Sequence, residues 1–198
     1  IKLLQGFYLP SHGSIKIGNL PLTSINPHFW RSVTGSVMQE SFIFSDTFAH
    51  NIALDSDSLD ETRLYQAAKM ANVDGFIRTL PLGYHTKIGM EGNGVSQGQR
   101  QRLLIARAIY KNPEYIFFDE ATNALDTTNE SEIMHHLYDF YNGRTVVVAA
   151  HRLSTVKNAD QIVVLNQGKV VEVGNHESLT AKRGAYYNLV KNQLELGY

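Results

Sequence analysis

The sequence predicts an α/β fold with a mainly parallel sheet and an inserted helical subdomain. Three observations carry this reading. Tyr115-Ile116-Phe117-Phe118 and Thr145–Ala150 are continuous apolar runs, the pattern of strands covered on both faces. A helical stretch, 128–141, lies between them, and strands that alternate with helices argue for parallel pairing. The middle of the chain reads mainly as helix, as a lobe inserted into such a core would.

In chain order, apolar residues at 1, 3, 4, 7 and 8 follow helical spacing, closed by Gly6 and Pro10. An uncapped helix that is apolar from its first residue reads as the tail of a longer one. Ser14–Ile17 with Gly18-Asn19 predicts a short strand and turn, and Asn26–Ser32 a small helix. Val33–Met38 reads as a strand ending at Gln39. From Asp60 to Ile77 the spacing predicts one helix, with Leu64, Ala67, Ala68, Ala71 and Phe76 on one face. Gly83, Gly89, Gly92 and Gly94 mark an irregular stretch. A long helix over Ser96–Tyr110 is stopped by Asn112-Pro113. Gln161–Leu165 and Lys169–Val173 flank Asn166-Gln167-Gly168 as a hairpin, and a last helix covers Ala185–Leu196.

Composition narrows the function. The 198 residues carry 18 Lys and Arg against 19 Asp and Glu, a formal net charge of −1. That balance, without a basic run, leaves no electrostatic footprint for nucleic acid. With no Cys, disulfides, thiolate metal sites and cysteine nucleophiles are excluded within this chain. No apolar run reaches the roughly 18–20 residues that cross a bilayer as a helix.

Four places carry residue types suited to chemistry. Asp119 and Glu120 follow the run Tyr115–Phe118, at the carboxyl end of a strand, where open α/β sheets bind ligands. Asp119 suits Mg²⁺, which takes few carboxylates plus phosphate oxygens. Strand alternation aims Glu120 the opposite way, where it can orient and deprotonate water. The plainer reading is a pair that ends a strand and caps the next element. Ser96, with Gln99 three residues on, forms a capping-box pattern. The amides and positive dipole end of that helix attract anions, and Gly98 lets a phosphate approach the backbone. A capped helix and nothing more is the alternative. His151 follows the second buried strand, on the edge that holds Asp119 and Glu120, either as a phosphate contact or as a structural histidine. Gln39 is a metal-contacting hinge or an ordinary loop residue. The adjacent His135-His136 reads as solvated surface.

The order of these pieces is more specific than any one of them. Val37-Met38-Gln39 comes first, and Val95 to Arg102 (Val-Ser-Gln-Gly-Gln-Arg-Gln-Arg) follows. Phe117 to Asp126 (Phe-Phe-Asp-Glu-Ala-Thr-Asn-Ala-Leu-Asp) and Ala150-His151-Arg152 complete the series. This series resembles the nucleotide-binding domain of ATP-binding cassette (ABC) transporters of the exporter type, over essentially the whole chain. Phe44–Ile52 resembles the exporter segment after the Q-loop, and Thr86–Gly94 the run before the signature motif in bacteriocin and peptide exporters.

The resemblance implies a P-loop NTPase-like core, ATP and Mg²⁺ as cofactors, and ATP hydrolysis that powers export. It divides the chain into 1–39, the remainder of the N-terminal core up to the Q-loop; 40–110, the helical subdomain with the signature; and 111–198, the C-terminal core. Gln39 matches the Q-loop residue that touches Mg²⁺. Ser96, Gln97, Gly98 and Gln99 match the signature that binds ATP held by the other subunit. Asp119 matches the Walker B aspartate that holds Mg²⁺, Glu120 the catalytic glutamate and His151 the switch histidine. Asn123, Ala124, Leu125 and Asp126 match the D-loop at a dimer interface. The implied partners are a second nucleotide-binding domain and a transmembrane domain. The implied place of work is the cytoplasmic face of the cell membrane, with the chain itself expected to stay in solution.

Three departures stand out. Gln97 replaces a signature glycine, so its side chain must clear the phosphate or contact it. Met90 stands where many exporters place Glu. No Gly-x-x-x-x-Gly-Lys-Ser/Thr occurs, so the N-terminal part of the core is expected to be missing, with Ile1 inside the helix that this loop opens. These residues alone are then expected to be inactive. The other readings are a non-catalytic truncated cassette that partners a complete one, and an ABC ATPase of repair or translation without membrane helices.

Overall fold

The computed structural model describes residues 1–38, 41–54, 59–89, 94–120, 127–150 and 152–195. The chain divides into two compact units, Ile1–Ala149 and Ala150–Tyr198.

The first unit opens with a single helical turn. The Gly6 amide donates to Leu3 O and the Phe7 amide to Lys2 O, both at 3.1 Å. These paired bonds, with Gly6 at φ +75°, are a Schellman termination, in which glycine takes the left-handed position at no Cβ cost. The hairpin of β1 (Lys16–Ile17) and β2 (Leu20–Pro21) follows. Helix α1 (Pro27–Val33) starts where Asn26 Oδ1 accepts from the amides of His28 and Phe29, with Pro27 in the first turn. On α1, Trp30 is buried against Tyr115 and donates its indole N–H to Leu4 O at 3.1 Å.

The sheet of this unit has the order β3 (Thr34–Val37), β4 (Tyr115–Asp119), β5 (Thr145–Ala149), all parallel. Val37 pairs with Phe118, and Asp119 with Ala149, so the three carboxyl ends share one edge. A Cβ at Gly35 would lie 2.6 Å from Pro113 Cγ, so the proline ring just before β4 sits directly on β3. β4 is buried on both faces, as its apolar run predicts. β5 differs from expectation. Val146 to Ala149 are half-buried and Thr145 is exposed, because β5 lies at the end of the three-stranded order.

Between β3 and β4 the chain is helical: α2 (Phe48–Ala53), α3 (Glu61–Met70), α4 (Asp74–Thr79) and α5 (Gln97–Lys111). The expected single helix over 60–77 is two helices, broken at Asn72 with φ +52°. The break lets Ala71, Val73 and Ile77 all be buried, which one straight helix face would not allow. Ala67 and Ala68 are small enough for α3 to lie close on α5. Asp74, though largely buried, accepts Arg78 Nε at both carboxylate oxygens and the Tyr84 hydroxyl at 2.7 Å. Burial first, then the Asp74 bond, drives the Tyr84 phenol well above its ordinary pKa. Helix α6 (Thr127–Tyr141) adds Ile133, Leu137 and Phe140 to the same core. On α6, His136 is not simply solvated: it is half-buried, its Nδ1 3.2 Å from Met70 O, while His135 is exposed.

The second unit holds α7 (Leu153–Val156), the antiparallel hairpin of β6 (Ile162–Asn166) and β7 (Lys169–Gly174), α8 (His176–Lys182) and α9 (Ala185–Glu195). Its turn uses positive φ at Gln167 and Gly168, the twist that suits a two-residue connection. Ile162, Val164, Leu179, Tyr186 and Val190 form its core. Among the described residues no helix is long and apolar enough to cross a membrane.

Candidate functional site

Parallel pairing decides where the carboxylates stand. β4 ends at Asp119, and the Glu120 amide donates to Ala149 O at 2.9 Å, which extends the ladder by one bond. Glu120 itself turns out of the strand with φ +52°. Its side chain is therefore aimed by a left-handed turn, and the strand alternation expected from sequence does not apply to it. A non-glycine residue in that region costs about 1–3 kcal/mol, and such residues concentrate at functional sites. Both side chains are half-buried.

The same edge receives the chain just before two other expected residues. β3 ends two positions before Gln39, and β5 two positions before His151. Gln39 and His151 themselves lie outside the described residues, as do Asn123, Ala124, Leu125 and Asp126, and Met90 with the three residues after it.

The second cluster opens α5. Ser96 has an extended backbone, its Oγ accepts from the Gln99 amide at 3.2 Å, and Gln99 Oε1 accepts from the Ser96 amide at 2.8 Å. The capping box predicted from the sequence is thus complete. It answers the amides of Ser96 and Gln99, while those of Gln97 and Gly98, in the first turn, have no acceptor within the helix. An anion at this end would meet those two donors and the positive end of a 15-residue helix. The Gln97 side chain is exposed.

A third feature has no counterpart in the sequence reading. Asn51 on α2 is fully buried; its Oδ1 accepts from Phe44 N at 2.8 Å, and its Nδ2 donates to the carbonyls of Phe44, Asp46 and Thr47. Arg107 on α5 donates Nε to Asn51 O, Nη2 to Asn51 Oδ1 and Nη1 to Phe42 O, with its guanidinium over the Phe44 ring. Desolvation pushes the Arg107 pKa down to about 10. Together they lock the segment that follows Gln39-Glu40 onto the helix that begins at Ser96. The one local signal is an Asn among the apolar residues Phe48, Ala49 and Ile52.

The residues fit Mg²⁺ and a polyphosphate by donor type. Asp119 offers one half-buried carboxylate at a sheet edge, and the start of α5 offers first-turn amides with no acceptor within the helix. Among the described residues, no cluster of three or more His, Asp or Glu could hold a metal without such a ligand.

Comparison with known proteins supplies the wider context. A family model described as ABC transporter matches residues 1–123. The chain is 46% identical over 193 residues to an ATP-dependent lipid A-core flippase of Saccharophagus degradans, covering 98% of the chain and 33% of the relative. It is 43% identical over 195 residues to the toxin RTX-I translocation ATP-binding protein of Actinobacillus pleuropneumoniae, covering 98% and 28%. Among solved structures, a bacterial Atm1-family ABC exporter with ATP bound superposes with a TM-score of 0.92 at 39% identity, covering 97% of this chain and 34% of that one. The chain thus spans about a third or less of the length of these relatives.

Proposed function

Because the chain belongs to the ABC transporter family and carries the fold of an exporter ATP-binding cassette, we propose that it works in ATP hydrolysis that drives export across a membrane. Residues 1–39 serve as the part of the ATPase core up to the Q-loop, 40–110 as the helical subdomain and 111–198 as the C-terminal core. These bounds rest on the sequence resemblance.

Within this reading Asp119 holds Mg²⁺, which when bound offsets charge on the phosphates. Glu120 orients the attacking water and accepts its proton, while Gln39 and His151 contact metal and γ-phosphate. Gln97 and Gly98 present amides, and Ser96 a hydroxyl, to ATP carried by a second cassette. Asn123, Ala124, Leu125 and Asp126 line the interface with that cassette, and the pair moves a transmembrane domain at the cytoplasmic face. The roles of Gln39, His151 and the 123–126 segment rest on the sequence resemblance. The observation that carries the proposal is the shared carboxyl edge of β3, β4 and β5, with Asp119 and Glu120 on it and Glu120 in a left-handed turn.

In the full transporter, Glu120→Gln is expected to keep ATP binding and lower steady-state hydrolysis by a factor of about 10²–10⁴. Nucleotide binding and phosphate release measured side by side test this, and a variant with more than about a tenth of the normal rate would remove Glu120 from the role of base. The 198 residues contain no Gly-x-x-x-x-Gly-Lys-Ser/Thr, the loop that cradles the β- and γ-phosphates. On their own they are therefore expected to show no saturable ATP binding below about 1 mM by calorimetry. Binding tighter than that would reverse this part of the reading. For cargo, the run Thr86–Gly94 favours a peptide or bacteriocin, and transport of a labelled peptide into vesicles holding the full transporter is the test.

A further inference from the structure

A cavity of about 380 Å³ lies between α3, the carboxyl end of α5 and the carboxyl end of α6. It stands at the opposite end of the sheet from the carboxylates. Asn112 and Arg144, on its wall, shortly precede the amino ends of β4 and β5, whereas Asp119 and Glu120 stand at the carboxyl ends. Its volume falls at the small end of the range for ligand sites, about 300–1,000 Å³.

The lining divides by chemistry. The apolar residues on its wall are Met70, which is half-buried, and Ala67, Ile109 and Phe140, which are buried. Three charged side chains border it: Asp60, Arg63 and Arg144. Asp60 Oδ1 accepts from the Arg63 amide, as the cap of α3. The two guanidiniums are held over rings, Arg63 at 5.0 Å from the centre of Tyr110 and Arg144 at 4.2 Å from that of Phe140. Arg144 donates to neutral oxygens, those of Pro113, Phe140 and Asn142 and the Asn112 side chain. These fix its position without cancelling its charge. Among its lining side chains two cations stand against one carboxylate, facing the partly negative carboxyl ends of α5 and α6.

We propose that this cavity is a binding site for a small amphipathic monocarboxylate, its apolar body on Met70, Ile109 and Phe140 and its carboxylate at Arg63 and Arg144. The Arg63 guanidinium can meet a carboxylate as a fork, while Arg144, whose donors are largely engaged, adds its charge and one remaining Nη2 proton. The site lies in the first unit alone and does not depend on the nucleotide reading.

The test uses the 198-residue chain with 3-phenylpropionate as probe and its neutral amide as control, followed by calorimetry and by saturation-transfer NMR. The acid is expected to bind saturably, with the amide about tenfold weaker, the size expected for one charge-assisted bond. Arg63→Gln should weaken the acid by a similar factor and leave the amide unmoved. Gln66→Trp, at an exposed position on the cavity wall, should block both. Matching thermal midpoints for the two variants establish that they fold. Equal binding of acid and amide, binding unaffected by both variants, or no saturation by about 20 mM would each overturn the proposal.

Discussion

Glu120 and Asn51 both stand in environments that their neighbours in sequence would not give them. Glu120 occupies a left-handed turn directly after a strand, held by its amide bond to Ala149 O. Asn51 has no exposure, yet every polar atom of its amide has a partner. Removing that amide leaves Phe44 N and one arm of Arg107 without their acceptor, whereas the three carbonyls keep the backbone amides of Asp46, Ile88 and Asn51 as donors. Asn51→Ala should therefore cost about 1–3 kcal/mol, more than a typical surface change. Urea unfolding checks this, with Phe42→Ala as comparison, since Phe42 is largely exposed and should cost well under about 1 kcal/mol. A midpoint shift no larger for Asn51→Ala than for Phe42→Ala would show that the network contributes little.

At the level of elements, α5 joins the capping box to the Asn51 network. Its start is the Ser96–Gln99 capping box; Arg107 in its second half grips α2, and Asn112 in a left-handed cap ends it. Ser96→Ala should cost about 1 kcal/mol of stability through the cap alone. Because the two capping bonds are reciprocal, Ser96→Ala and Gln99→Ala should not add: the double variant is expected to lose about 0.5 kcal/mol less than the sum. A double-mutant cycle in urea measures that coupling, and strict additivity would mean that the two bonds act independently. Ser96 variants in a transporter thus carry a stability effect as well as any effect on nucleotide, and the two must be separated. Elements also show why periodicity misleads at 60–77. The apolar spacing continues through Ala71 and Phe76, but Asn72 tolerates a left-handed backbone, and the chain turns there to bury Val73 and Ile77.

For the whole molecule, the two units differ in how much core each possesses. The first gathers buried residues from Val37 through Phe140, whereas the second relies on Ile162, Val164, Leu179, Tyr186 and Val190. The outer side of its hairpin leaves Val163, Leu165, Val170, Val171 and Val173 exposed. Opening free energy follows buried apolar area, so amides of β6 and β7 should exchange with solvent through lower-energy openings than those of β4 and α5. Native-state hydrogen exchange on the 198-residue chain reads this directly. Equal opening energies in both sets would mean that the chain unfolds as one cooperative block.

The sequence by itself determined the α/β class, the strands at both apolar runs, the capping box at Ser96 and the family, because each depends on local chemistry: burial period, cap spacing or an ordered set of short motifs. Tertiary structure decided the rest. The half-buried state of β5 depends on its place in the sheet, and the Asn51–Arg107 lock joins residues 56 positions apart. The turn at Glu120 forms where a strand end meets Ala149, and the cavity exists only because three helices converge. Such features arise from contacts between segments distant in the chain, and local pattern carries no record of which distant segments will meet.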